Sequence, residues 1–99
     1  MREHPPEELA ALWDIHRNAP WPGTSGANEG PLMTLDTVIS GCVTYYFESE
    51  EPLDQQRVEM LEGCLQELAV LFPELPHEVR EYFDRLERLG SMLLATHRA

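Results

Sequence analysis

The sequence contains no lysine. Its seven basic residues are all arginine and stand against eighteen Asp and Glu, a formal net charge of -11. The choice of Arg over Lys reads as a coding bias rather than as chemistry, but the shortage of positive charge excludes partners. A surface of this sign repels phosphate backbones and anionic headgroups, so neither direct nucleic-acid binding nor membrane attachment is expected. It attracts a basic protein instead. Long apolar runs are missing as well: no stretch approaches the ~20 residues that span a bilayer. The opening MREHPPEELAALW lacks the apolar core and cleavage site of a secretory signal, so the expected compartment is the cytoplasm. Cysteine is scarce. Cys42 and Cys64 form no CxxC pair and sit among apolar neighbours, so both are expected as reduced, packed side chains.

The motifs of catalysis and cofactor binding are also absent. His4, His16, His77 and His97 have no second His or Cys at ligand spacing, and neither HExxH nor an EF-hand loop occurs. The Glu-x-x-His pairs of di-metal bundles are missing. The glycine-rich PGTSGANEG has neither GxxxxGK[ST] nor GxGxxG, follows no strand pattern and holds no Lys or Arg, so it is not a phosphate loop. No GxSxG occurs. The expectation is a protein with no catalytic residues, no metal and no cofactor.

What is present is helical periodicity. Ninety-nine residues suffice for one domain with one modest core. Leu9, Leu12, Trp13 and His16 share one helical face, as do Leu35, Ile39, Cys42 and Tyr46. The clearest stripe is Val58, Leu61, Leu65, Leu68 and Phe72, and a fourth runs through Val79, Phe83, Leu86, Leu89 or Gly90, and Leu93. The second segment is rich in β-formers, but no partner strand exists elsewhere, and a lone strand leaves its backbone unpaired. Four helices are therefore expected, over residues 5–18, 35–48, 53–72 and 76–96, with Thr34 capping the second. They make an all-α, mostly antiparallel four-helix bundle with one long Pro/Gly-rich connection over 19–33. That connection leaves helix one free to cross the bundle instead of forming a simple hairpin. Gly41 and Gly63 interrupt helix interiors at a cost of ~1 kcal/mol each against Ala. Close approach of helices two and three there, with Gly41 or Cys42 near Gly63 or Cys64, would offset it.

Function has to be read from the surface. Glu48, Glu50, Glu51 and Asp54 crowd the connection between helices two and three, and Glu59 and Glu62 continue along helix three with only Arg57 nearby. Trp21, in the Pro/Gly segment, either folds back as a lid or presents itself as a binding anchor. These seven residues, Glu48, Glu50, Glu51, Asp54, Glu59, Glu62 and Trp21, are the candidate partner-binding set. The expected function is a small acidic inhibitor of a basic, nucleic-acid-processing protein, physically akin to toxin-immunity proteins, antitoxins and phage-type inhibitors. Two alternatives remain: a homodimeric adaptor using an apolar strip on helix one or four, and an enzyme or ligand binder with a pocket beneath residues 20–31.

Overall fold

The computed structural model describes residues 6–23, 28–49 and 51–98. The order is α1 (Glu7–Asn18), α2 (Glu29–Glu48), α3 (Gln55–Leu71), a short 3-10 turn (Phe72–Glu74) and α4 (His77–Arg98). The all-α four-helix bundle is what the four stripes anticipate, with no strand among the described residues.

Local chemistry fixes the ends. Pro6 precedes α1 and gives its carbonyl to Ala10, while Glu7 and Glu8 lie at the positive end of the helix dipole. Asp54 caps α3 by accepting from the Arg57 backbone N–H at 2.8 Å. After α3, Arg80 donates to the carbonyls of Leu75 and Pro73, at 3.0 and 3.2 Å, and ties the 3-10 turn to α4.

The ends of α1, α3 and α4 lie within two residues of the sequence reading, and the start of α2 differs most. α2 starts at Glu29, not Leu35, so residues 29–33 belong to the helix and not to the connection expected over 19–33. Gly30 and Pro31 fall inside the first turn. Their positions require no backbone donor, because the first N–H groups of a helix have no acceptor within it. Asn28 therefore occupies the cap position, with its carbonyl accepting from Leu32 at 2.9 Å. Thr34 lies within the helix instead of capping it, and Asp36 sits two turns in, where it meets Tyr82.

The predicted stripes supply the core, with Leu12, Trp13, Leu65 and Phe72 half-buried against it. Leu9, Leu35, Ile39, Cys42, Tyr46, Val58, Leu61, Leu68, Val79, Phe83, Leu86, Leu89 and Leu93 are all buried. α4 is the central strut and packs against each of the other three helices. Contacts between the helices set their directions. His16 of α1 meets Arg85 of α4, and Leu12 lies across a groove from Met92. Arg57 of α3 lies over Tyr45 of α2, and Met60 faces Val38. Gly90 of α4 meets Leu61 and Leu65 of α3, and Asp84 and Glu87 face Leu68. Each pair is antiparallel, so the helices run up, down, up, down. α1 rests chiefly on α4 and not on α2, while α2 and α4 touch across the diagonal. The cross-section is a flattened rhombus, consistent with Cα extents of 44 × 25 × 18 Å.

The glycines correct a second expectation. Gly41 and Gly63 are exposed, and a Cβ on either would meet nothing within 4 Å, so they do not mediate close packing. Of the cysteines beside them, Cys42 is buried and Cys64 half-buried. Burial raises both thiol pKa values, and the neighbouring Cys64 adds to the rise at Cys42. Both thiols are therefore poor nucleophiles. The close approach is at Gly90 instead, where a Cβ would stand 2.7 Å from Leu65 Cδ2 and 3.3 Å from Leu61 Cδ1.

Alanine substitution separates these positions. Gly41→Ala and Gly63→Ala are expected to raise stability by ~0.5–1 kcal/mol each. Gly90→Ala is expected to give no gain, because Leu65 must swing away. Urea midpoints of the three variants check this, and a stabilised Gly90→Ala would contradict the packing described.

Candidate functional site

The acidic residues singled out in the sequence gather where α2 passes into α3. Glu48 ends α2, Glu51 lies in the connection and Asp54 caps α3, all exposed. Glu59 follows one turn into α3, also exposed, and accepts from Gln55 Nε2 at 3.0 Å. Glu62 is half-buried and engaged in an interaction of its own, so it does not extend the open face as expected. Glu50 lies outside the described residues.

Arg57 is the local cation, and it is already committed. Its Nη1 donates to Asp54 Oδ2 at 2.6 Å, and its guanidinium sits 3.8 Å from the Tyr45 ring centroid. The Arg57 backbone N–H, the largest influence, holds the Asp54 carboxyl below its ordinary value. Between Arg17 and Arg80 the sequence carries eleven acids (Glu29, Asp36, Glu48, Glu50, Glu51, Asp54, Glu59, Glu62, Glu67, Glu74 and Glu78) and one Arg. The junction therefore keeps its negative field, while Arg80, Arg85 and Arg88 interleave the acids of α4.

A groove of ≈ 330 Å³ leads away from this junction between α2 and α3. Val38, Gly41, Cys42 and Met60 form its apolar part and Arg57 is also in its lining. Met60 is 45% exposed. Gly41 is two turns from Glu48 along α2, ~10 Å at helical rise.

Trp21 is not part of this surface. Its indole is half-buried and meets Tyr82 and Phe83 edge-on, with centroids 5.6 and 5.8 Å away. It pins the start of the 19–28 connection onto α4, the lid placement of the two weighed. Gly23, two residues on, adopts φ +68, a left-handed conformation that side chains disfavour. The proposed pocket under residues 20–31 involves residues 24–27, outside those described.

The structure adds a polar cluster where α1, α2 and α4 meet. His16 is buried, although its place on an apolar stripe suggests only packing. Arg85 Nε donates to His16 Nδ1 at 3.0 Å. Arginine only donates, so Nδ1 is the acceptor and the imidazole proton sits on Nε2, aimed at Asp36 Oδ1 3.5 Å away. Tyr82 donates its hydroxyl to the same oxygen at 2.9 Å, and Ser40 Oγ lies 3.5 Å from it. The His16 ring lies 4.4 Å from the Tyr82 ring and is stacked with Trp13. Desolvation first, and then the bond to Asp36, push the Tyr82 pKa well above its ordinary value.

This cluster resembles a histidine–carboxylate pair, but its chemistry is closed. Arg85 occupies the His16 lone pair, so no nitrogen is left to take a proton from a substrate. Its role is to satisfy buried polar atoms and key α1 into place. The one sequence signal for it is a histidine on an otherwise apolar face, which demands partners once buried. Among the described residues, no three His, Cys, Asp or Glu converge in a way that could hold a metal ion, and no helix is long and apolar enough to cross a membrane.

Comparison with known protein families, with curated proteins and with solved structures finds no match to this chain.

Tyr82→Phe is expected to cost ~1 kcal/mol near neutral pH through the lost hydrogen bond. It also flattens the alkaline limb. The native state holds the Tyr82 proton after an unfolded tyrosine, with pKa ≈ 10, has lost it, so this contribution is present below pH ~10 and declines above it. Denaturant unfolding between pH 8 and 11 tests the difference; identical slopes for both proteins would remove Tyr82 from the cluster.

Proposed function

We propose that this protein binds a basic protein through the acidic α2–α3 junction and neutralises it as a stoichiometric inhibitor. It would act in the manner of immunity proteins, antitoxins or phage-type inhibitors of nucleic-acid enzymes. One observation carries the reading: exposed carboxylates of Glu48, Glu51, Asp54 and Glu59 share one end of the bundle with Arg57, whose charge is taken by Asp54 and Tyr45. A field left open in this way attracts a complementary surface over a Debye length and speeds encounter. A nucleic-acid-processing enzyme supplies such a surface, because it must itself attract phosphate.

A second reading has its own observation. A groove of ≈ 430 Å³ between α1 and α4 is lined by Leu12, Ile15 and Met92 among others, and Ile15 is 57% exposed. This is the face a homodimeric adaptor would use. Sedimentation at micromolar and submillimolar concentration separates the two, since the first reading expects a monomer in the absence of partner.

The charge reading is tested by affinity capture at 50 and 500 mM NaCl, comparing the natural protein with a variant carrying Glu48→Gln, Glu51→Gln, Asp54→Asn and Glu59→Gln. A basic protein should be retained 1:1 by the natural chain alone, and its association rate should fall ~10-fold or more over that salt range. Equal capture by the neutralised variant, or a rate indifferent to salt, would refute it.

A further inference from the structure

We infer that the α2–α3 groove beside Gly41 receives one aliphatic side chain from a basic partner segment, whose cations lie one to two helical turns away over the acidic junction. This rests on the reading of the junction as a basic-partner site and adds what the partner must present there. Three observations lead to it.

First, Gly41 and Gly63 weaken two helix interiors with no packing to show for it. A local rule broken without a folding reason is a place to look for function. Second, the missing side chain at Gly41 leaves open the groove formed with Val38, Cys42 and Met60, and Met60 stays 45% exposed at its edge. Thr37, Gln56 and Arg57 line the rest of the groove, so an aliphatic side chain suits its apolar wall while polar neighbours of that side chain face the other. Third, the groove is continuous with the carboxylates, because Arg57 lines it and is bound by Asp54. Charge complementarity then selects the occupant. A second copy of this chain brings the same sign, and a nucleic acid or anionic membrane is repelled. A polypeptide with Lys or Arg beside an aliphatic residue is attracted.

The test uses two synthetic helical peptides of about four turns. Both carry lysines along one face. One has a single central Leu on that face, and the other has Ser in its place. Titration of the full chain labelled with ¹⁵N reads the amide signals of Gly41 and Gly63 directly. The Leu peptide should bind about tenfold more tightly than the Ser peptide at 150 mM NaCl, as burial of one leucine implies, and should move the Gly41 signal most. Gly41→Leu, whose side chain enters open space, should reduce that ratio to about one and leave binding of the Ser peptide unchanged. Met60→Gln should reduce the ratio as well and guards against misfolding of the first variant, with circular dichroism as the check. Glu48→Gln with Glu59→Gln should weaken both peptides equally. Equal binding of the two peptides, or Leu-dependent shifts at Leu12, Ile15 and Met92, would overturn the groove assignment while leaving the acidic docking site standing. Failure of both peptides to bind at 50 mM NaCl would overturn the two together.

Discussion

The arrangement depends on the one broad apolar face of α4. Val79, Phe83, Leu86, Leu89, Leu93 and Leu94 are all buried, and they turn far enough around the helix for three neighbours to seat on it. At ~2 kcal/mol for each fully buried aliphatic or aromatic side chain this is a large block of burial, matched in number by Leu32, Leu35, Ile39, Cys42, Val43 and Tyr46 of α2. Gly90 lets α3 come close enough for Leu61 and Leu65 to reach the strut. The rhombic section follows, because a central helix that touches all three others brings α2 onto the diagonal and leaves α1 at an outer corner.

That corner position explains the polar cluster. α1 is short and brings one fully buried leucine, Leu9, and two half-buried residues, Leu12 and Trp13, to the core. His16 supplies direction where apolar area is limited. Its two nitrogens engage different helices, Arg85 on α4 and Asp36 on α2, so only one rotation of α1 satisfies both. Burying such groups costs desolvation, which is recovered only when every partner is in place. Trp21 then covers Tyr82 and fixes where the connection departs. The same features that hold α1 leave His16 without a free lone pair, which is why this cluster serves architecture. The surface reading of function falls to the opposite character: exposed carboxylates that outnumber the one arginine among them, Arg57.

The sequence made the hydrophobic half of this fold legible, because periodicity reports burial directly. Each stripe residue from Leu35 to Tyr46 and from Val79 to Leu93 is in the core. The beginning of α2 was not legible, since Gly30 and Pro31 carry the same propensities in a loop as in a first helical turn, and Asn28 offers its cap position through backbone geometry without a side-chain bond. The role of Gly41 and Gly63 was misread for a related reason: a glycine announces missing bulk, not which neighbour uses the space. The candidate binding surface was legible as charge, but not its details. Nothing in spacing says that Arg57 is locked over Tyr45 or that Glu62 is half-buried. The His16 cluster joins residues 16, 36, 82 and 85, and contacts between positions so distant in the chain leave no local pattern.

The outer seat of α1 has a consequence for how the molecule opens. Its defining bond, Arg85 to His16, closes a loop of 69 residues, whereas α2, α3 and α4 follow one another through short turns. Loop closure at that range is entropically the most demanding step. The three later helices therefore form the cooperative unit, and α1 docks onto it last and leaves it first. Amide exchange should sort the chain accordingly, with α1 governed by a local opening of lower free energy and the buried amides of α4 by global unfolding.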